Sequence, residues 1–195
     1  MTRFIFIRHA SPIIDKSLSP REWILSKEGE KQVVQLTREG VVHQIDLLVS
    51  SQERKAILTA EGIRNALDHK KIPEIITDKR LNEVDRTKGP FFDTFHEFKT
   101  NVKKTFIERD KSFFTWEPIE SAVARIIDCI DELQTKYSTK HKTIGIVSHG
   151  TIISLYFAKV GEYYDNPAQI IEKWENMPFC AWGLIAEGKI QRAFG

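Results

Sequence analysis

The segment RFIFIRHASP, residues 3–12, joins a short run of bulky apolar side chains to a basic pair. Such a run of aromatic and β-branched residues is typical of a buried strand, so we predict a strand over residues 3–7. Arg8 and His9 follow it directly. The run is too short for the apolar core of a signal peptide or for a membrane span.

Strands and helices alternate along the rest of the chain. We predict further buried strands over residues 45–49 and 143–147, and a short strand over residues 74–77. We predict helices over residues 27–39, 53–67, 122–133 and 151–160. This alternation is typical of an α/β domain with a largely parallel sheet. The pair Glu187-Gly188 indicates a hairpin, so the end of the chain is predicted to add antiparallel strands.

Residues 85–117 have a different composition, and we predict that they form a small helical insertion within one domain, 1–195. Gly89-Pro90 breaks the chain, and seven of the twelve phenylalanines lie between residues 91 and 114. Their rings either form a small core for the insertion, which is the preferred interpretation, or line a pocket wall. The lysines of this segment are predicted to be solvated, with recognition of extra negative charge as the alternative.

Composition excludes several classes of function. The chain has 195 residues, 41% of them hydrophobic, and its net charge is +2, from 29 Lys and Arg against 27 Asp and Glu. This near balance gives no reason to expect a nucleic-acid or membrane partner. Cys129 and Cys180 have no spacing typical of zinc ligands, so we predict reduced packing residues in a cytoplasmic protein. The oligomeric state is not predicted.

Polar motifs stand at three of the predicted strand ends. Arg8-His9 ends the first strand, Ser50-Ser51 and the pair Arg54-Lys55 follow the second, and Ser148-His149-Gly150 ends the last of the buried strands. In α/β sheets, ligands bind beyond the carboxyl ends of the strands. Each motif alone is most often a loop or surface feature. Together they predict one site with two histidines and a cation.

The sequence resembles the histidine phosphatase superfamily, the phosphoglycerate-mutase-like proteins. The resemblance rests on motifs that occur in family order over residues 3 to about 160. They are FIFIRHASP, Leu25-Ser26-x-x-Gly29-x-x-Gln32, Ser50 to Ala60, Leu81-Asn82-Glu83, Glu120-Ser121 and Ile146 to Gly150. The resemblance implies a three-layer α/β/α fold and hydrolysis of a small-molecule phosphate monoester through a phosphohistidine, with no metal or other cofactor.

The resemblance also implies roles for individual residues. His9 is the expected nucleophile, His149 a second catalytic group of the phosphate pocket, and Glu83 the proton donor. Arg8, Ser11 and Gly150 are expected to bind the substrate. A leaving alkoxide needs a proton at neutral pH, so we expect the donor carboxyl to have a raised pKa. Glu120 is the alternative donor, although a helix-start cap is the commoner role for such a residue.

Two positions depart from the family pattern. Ala10 stands where the signature usually has glycine, which would store strain only if the backbone there were left-handed. The usual second arginine corresponds to Lys55, because Ala56 and Thr59-Ala60 fix the frame and Lys55 shares a helix side with Thr59. We therefore predict that Lys55 binds substrate and that Arg54 lies at the surface.

Three functions remain open at this point. The favoured one is a metal-independent phosphatase. A second is a mutase, which returns the phosphoryl group to the substrate, although the chain is short beside the mutases it resembles. A third is a sensor that binds a phosphorylated ligand without turnover, which Ala10 and Lys55 would favour.

Overall fold

A computed structural model describes residues 2–67, 72, 74–137, 139–140 and 142–194. Six strands form one sheet with the order β3-β2-β4-β1-β5-β6. The strands are β1 Arg3–Arg8, β2 Leu47–Ser50, β3 Ile75–Thr77, β4 Thr143–Ser148, β5 Trp182–Ala186 and β6 Lys189–Arg192. The first four pair in parallel, and β5 and β6 add antiparallel pairs beside β1. The predicted fold class is confirmed.

In the described residues, six α-helices accompany the sheet. They are α1 Lys27–Thr37, α2 Arg54–Ala66, α3 Phe95–Ile107, α4 Ile119–Tyr137, α5 Gly150–Val160 and α6 Pro167–Glu175. Two short 3-10 helices cover Val42–Gln44 and Lys79–Leu81. The predicted elements are present, with ends displaced by up to four residues. Within the described part of the chain, no helix is long and apolar enough to cross a membrane.

The buried side chains divide between the two faces of the sheet, as the alternation of side chains along a strand requires. Ile5 and Ile7 of β1 pack toward α1 and α2. Phe4 and Phe6 pack on the other face, in a core that also holds residues of α3, α4, α5 and α6. The sheet therefore lies between two helical layers.

Helix α6 was not among the predicted elements, although its sequence carries ordinary signals. The Asn166 side chain accepts a hydrogen bond from the Gln169 amide, and Pro167 occupies the first helical position. Ile170 and Trp174 are four residues apart and both buried. The helix is only 9 residues long, so its apolar face shows too few repeats to stand out.

The segment 85–117 contains α3, and its rings have mixed positions. Phe106 and Trp116 are buried and belong to the main core, not to a separate one. Phe91, Phe95 and Phe114 are at least 45% exposed. Some of the aromatic rings of this segment thus extend the main core, and others are exposed to solvent.

Both cysteines are free and buried. Burial raises the pKa of each thiol to about 12, so neither ionises readily near neutral pH.

Candidate active site

The register between two neighbouring strands places the two histidines together. Arg8, the last residue of β1, is level with Ser148, the last residue of β4. The next residue on each strand is a histidine, and the His9 amide donates to the Ser148 carbonyl at 2.9 Å. As a result, the rings of His9 and His149 lie 5.0 Å apart, centroid to centroid. Parallel pairing thus builds the centre of the site.

The tautomer of His9 follows from its backbone contact. His9 Nδ1 lies 2.8 Å from the carbonyl oxygen of Ala10, which can only accept, so Nδ1 carries the proton. Nε2 is then unprotonated and has a free lone pair. Burial, His149 and Lys55 hold the pKa of His9 well below its usual value, so the ring stays neutral. A neutral imidazole with a bare Nε2 is the form that a nucleophile requires.

The residues around His9 fix its loop. Ala10 donates its amide to the Thr59 hydroxyl at 3.0 Å, and its φ angle is not positive, so alanine causes no left-handed strain there. The Ser11 amide donates to Gln32 Oε1 at 2.9 Å, and its carbonyl accepts from the Ser26 amide at 2.9 Å. A Cβ at Gly29 would come within 2.2 Å of that carbonyl, which explains why glycine stands there.

Arg8 lies beside the histidines. Its NH1 donates to the Met177 carbonyl, its Cζ lies 4.1 Å from the centre of the Phe179 ring, and its Nε has no partner in the described structure. A Cβ at Gly150 would approach Arg8 Nε to 3.3 Å, so glycine leaves room for the guanidinium. Phe179 also lies 5.5 Å from the His9 ring, between centroids. No sequence motif pointed to Phe179.

The second histidine is held by a serine. Ser51 Oγ donates its proton to Asn82 Oδ1 at 2.9 Å, and the Gln52 amide fixes the orientation of that side chain by donating to the same oxygen at 2.9 Å. His149 Nε2 lies 2.7 Å from Ser51 Oγ and must therefore donate to it. His149 Nδ1 is unprotonated and has no hydrogen-bond partner in the described structure.

This tautomer changes the expected role of His149. Burial and Lys55 hold its pKa well below the usual value, so it is a neutral ring. Its proton already goes to Ser51, whereas the family resemblance implies a catalytic group of the phosphate pocket. His149 Nδ1 lies 3.7 Å from Glu53 Oε2. In the resting structure His149 therefore presents a lone pair, not a donor, to its surroundings.

Lys55 is buried and Arg54 is exposed, in agreement with the helical frame. The ammonium of Lys55 contacts the Glu53 carboxylate and donates to the Pro20 carbonyl at 2.7 Å. Glu53, to which no sequence motif pointed, also accepts from the Glu83 amide at 2.9 Å through its other oxygen. Lys55 thus reaches the interior as half of a buried ion pair.

Glu83 lies at the N-terminus of α5, and its environment differs from the expected one. Its carboxylate accepts hydrogen bonds from the amides of Thr151 at 3.1 Å and Ile152 at 3.2 Å. Burial by itself would raise the pKa of Glu83, but the Arg86 guanidinium and the Val84 amide, which donates to Glu83 Oε1 at 2.9 Å, favour the charged form. The pKa lies below its usual value, so the expectation of a raised pKa is wrong for the resting structure.

Arg125 and Glu117 support the segment that carries Glu83. The guanidinium of Arg125 donates to the carbonyl oxygens of Arg80, Asn82 and Glu83 at 2.6, 2.8 and 3.0 Å. The same group contacts both oxygens of Glu117 at 2.8 and 2.9 Å. One guanidinium thus donates to three backbone carbonyl oxygens of this segment. Arg125 was not predicted, because no short motif links helix α4 to residue 83.

Glu120, the alternative proton donor, lies elsewhere. It is exposed near the start of α4, and its Oε1 accepts from the Tyr164 hydroxyl at 3.0 Å. No contact joins it to His9 or His149 in the described structure. In the described residues there is also no group of three or more His, Cys, Asp and Glu side chains that could hold a metal ion.

A comparison with models of protein families identifies one family. The model described as "Histidine phosphatase superfamily (branch 1)" matches residues 4–176. No curated protein matches the chain in sequence.

Solved structures with the same fold include three phosphatases. A mycobacterial glucosyl-3-phosphoglycerate phosphatase complexed with VO3 is 20% identical, with a TM-score of 0.68 over 100% of this chain and 98% of that one. A phosphoserine phosphatase mutant from Entamoeba histolytica, in complex with phosphoserine, is 19% identical, with a TM-score of 0.70 over 100% and 96%. The alpha-ribazole phosphatase from Shigella flexneri is 16% identical, with a TM-score of 0.71 over 99% and 95%.

Proposed function

Because the chain belongs to the histidine phosphatase superfamily, we propose that it is a phosphatase that hydrolyses small phosphate monoesters through a phosphohistidine on His9. The observation that carries this proposal is the tautomer of His9, with Nδ1–H on the Ala10 carbonyl and a bare Nε2. The phosphatases among the structural neighbours support the class of reaction.

In the first step, His9 Nε2 attacks phosphorus and the ester P–O bond breaks. The leaving oxygen takes a proton from Glu83. A transferring phosphoryl group spreads its charge over three oxygens, so it needs several fixed donors. Arg8, with an unpartnered Nε, offers a guanidinium for this role, together with the Ser11 hydroxyl and the Gly150 amide. Water then attacks the phosphohistidine, and Glu83 accepts the proton of that water.

Glu83 must gain a proton before it can give one, since its resting pKa is low. The substrate supplies it, because a phosphate monoester has a second pKa near 6 and arrives partly as the monoanion, by the general behaviour of phosphate groups. The bound negative charge then disfavours a second anion beside it and raises the pKa of Glu83. Glu83 is thus charged in the free protein and protonated in the complex.

The chemistry of the donors favours a mechanism without metal. Guanidinium and ammonium groups repel divalent cations, and the carboxylates of Glu53 and Glu83 are already occupied by Lys55 and by backbone amides. Arg8 supplies the positive charge that a metal would otherwise bring to the phosphate. The proposed mechanism therefore uses the groups of the protein and water, without a metal ion.

The second candidate function is a phosphoryl-binding sensor, and one contact favours it. The Lys55 ammonium is already paired with Glu53, so part of the expected positive charge is neutralised. A site with less available charge would hold a phosphate more weakly in the transition state. Turnover separates this candidate from the phosphatase.

The test combines turnover with detection of the phosphoenzyme. p-Nitrophenyl phosphate is mixed with the protein in EDTA, the reaction is stopped at alkaline pH, and the mass of peptides containing His9 is measured. We expect release of inorganic phosphate and an acid-labile phosphate on that peptide. His9→Gln should abolish both, and the matched control His96→Gln, at an exposed position on α3, should retain both. Turnover without any dependence on His9 would contradict the proposal.

A further inference from the structure

Glu53 is a buried acid that the proposed mechanism does not use. Its side chain is 5% exposed, and that of Lys55 is 7% exposed. Glu53 Oε1 accepts from the Glu83 amide at 2.9 Å, and Oε2 contacts the Lys55 ammonium. A buried charge is strongly destabilising when its counter-charge is removed. Each member of this pair therefore depends on the other in the free protein.

Lys55 lies close to the groups that would hold the phosphoryl group. The Thr59 hydroxyl donates to the Lys55 carbonyl at 2.8 Å and accepts from the Ala10 amide at 3.0 Å, so the first turn of α2 is bonded to the loop after His9. Burial lowers the pKa of His9 and of His149, and the positive charge of Lys55 lowers both further. The ammonium is thus near both rings.

The ammonium of Lys55 can accept a new partner. It has three N–H donors, of which one is directed to Glu53 and one to the Pro20 carbonyl at 2.7 Å. One donor is left over in the described structure. The flexible stem of a lysine also allows the ammonium to turn while the backbone of α2 stays in place.

The position of Glu53 is unfavourable for a bound phosphate. Glu53 Oε2 lies 3.7 Å from Nδ1 of His149, at the edge of the phosphate pocket. A phosphate group brings up to about two negative charges, and two anions beside one ammonium repel each other. The phosphate and the Glu53 carboxylate therefore compete for Lys55.

We propose that Lys55 changes its partner during each catalytic cycle. Glu53 holds the ammonium in the free protein, and the phosphoryl group of the bound substrate replaces Glu53 as its partner. Glu53 thus acts through Lys55 as a positioning residue that weakens the binding of inorganic phosphate and promotes its release. This inference rests on the proposed phosphatase function. The exchange makes and breaks no covalent bond and transfers no proton.

The exchange affects the product more than the substrate. When Lys55 leaves, the Glu53 carboxylate keeps only the Glu83 amide as a hydrogen-bond donor within the described residues. This loss opposes the binding of every phosphate group and is recovered when the phosphate leaves. A substrate has further contacts through its alcohol part, whereas inorganic phosphate has none. Glu53 therefore favours release of the product.

The first test compares crystal structures of the wild type with and without vanadate, a phosphate analogue. Without vanadate, we expect Lys55 to contact Glu53. With vanadate, we expect its Nζ at about 2.7–3.2 Å from a vanadate oxygen and beyond about 4 Å from Glu53. A vanadate complex in which the ammonium still contacts Glu53 overturns the inference. This test needs no variant, so it holds even if substitutions at Glu53 impair folding.

The second test measures the affinity for inorganic phosphate by calorimetry in Glu53→Gln. Glutamine can still accept from the Glu83 amide but offers no charge to Lys55. We expect the Kd of phosphate to fall about tenfold or more, the size of one hydrogen bond to a charged group. We also expect kcat and KM for p-nitrophenyl phosphate to fall together, because product release becomes slower. Structural damage would instead raise the Kd of phosphate.

Two further variants serve as controls. Glu53→Asp keeps the charge and should restore weak phosphate binding. Glu61→Gln removes a charge from the same helix about two turns further along, and should leave the Kd of phosphate as in the wild type. A folded Glu53→Gln variant that binds phosphate no more tightly than an active wild type overturns this inference alone. A wild type that hydrolyses no ester overturns the proposed function, and this inference with it.

Discussion

Ser51 Oγ and His149 Nε2 lie 2.7 Å apart, and the serine has already donated its only proton to Asn82. The hydroxyl therefore selects one tautomer of a fully buried histidine. A neutral imidazole has two tautomers, and the partner of one nitrogen decides the chemistry of the other. The free lone pair on His149 Nδ1 thus results from the side chain of Ser51, which follows a different strand.

Ser51→Ala should lower kcat/KM for p-nitrophenyl phosphate about fivefold, since one hydrogen bond of about 1 kcal/mol that orients His149 is lost. Ser50→Ala is the matched control, because the Ser50 hydroxyl donates only to the Ser51 carbonyl, at 2.9 Å. Steady-state kinetics of both variants make the comparison. Equal losses in the two variants would show that the His149 tautomer is unimportant.

Lys55→Met should destabilise the protein and reduce turnover at least a hundredfold. The substitution leaves the buried Glu53 carboxylate without its partner, which typically costs about 3–5 kcal/mol. Arg54→Met, at the exposed neighbouring position, should change both properties little. Urea unfolding and p-nitrophenyl phosphate turnover measure the two effects. Greater damage from Arg54→Met would mean that the helical frame is wrong by one residue.

Arg125→Met should reduce both stability and turnover, because three carbonyl oxygens of the segment that carries Glu83 lose their donor. Unsatisfied buried groups cost about 1–3 kcal/mol each when no water replaces the donor. Arg125→Lys should rescue only part of the loss, since an ammonium cannot reproduce the planar fork. The kcat for p-nitrophenyl phosphate and the urea midpoint report the two effects. Full rescue by lysine would contradict the geometric argument.

Stability should fall as the pH is lowered from about 6.5 to 5, the range below the ordinary histidine pKa. Folding depresses the pKa of His9 and His149, so the unfolded chain binds more protons in this range. Stability decreases with falling pH wherever the unfolded state binds more protons, by up to about 1.4 kcal/mol per pH unit for each group. Carboxylates with lowered pKa values contribute only at lower pH.

Urea unfolding at pH 7, 6 and 5 measures this dependence. His149→Gln should remove up to half of the slope between pH 6.5 and 5, whereas the exposed control His96→Gln should keep it. A flat profile in the wild type would show that the two buried histidines take up protons in the folded state.

Much of the site could be predicted from the sequence because its residues follow strand ends. Apolar runs identified β1 and β4, and the carboxyl ends of parallel strands meet at one edge of a sheet. His9 and His149 were therefore predicted to be neighbours. The inward orientation of Lys55 on helix α2 was also predictable, since its spacing from Thr59 and Ala56 specifies its side of the helix.

Other contacts joined residues too distant in sequence for any pattern to reveal. The contact between Arg86 and Thr151 forms only because the fold brings α5 to Arg86. The contact between Arg125 and the Glu83 carbonyl forms only because α4 packs against the segment that carries Glu83. The same holds for the pKa of Glu83. A leaving group requires an acid, but the amides of α5 stabilise the charged carboxylate, and this balance depends on distances in three dimensions.

The sequence by itself determined the order of strands and helices, the strand ends that carry polar residues and the face of α2 that holds Lys55. These features depend on the spacing of apolar residues and on local backbone preferences, both of which residues close in sequence specify. Only the tertiary structure decided which proton each histidine carries, which cation remains unsatisfied and which carboxylate is charged. Such properties depend on desolvation and on hydrogen bonds of defined length between distant residues, so they exist only once the chain is packed.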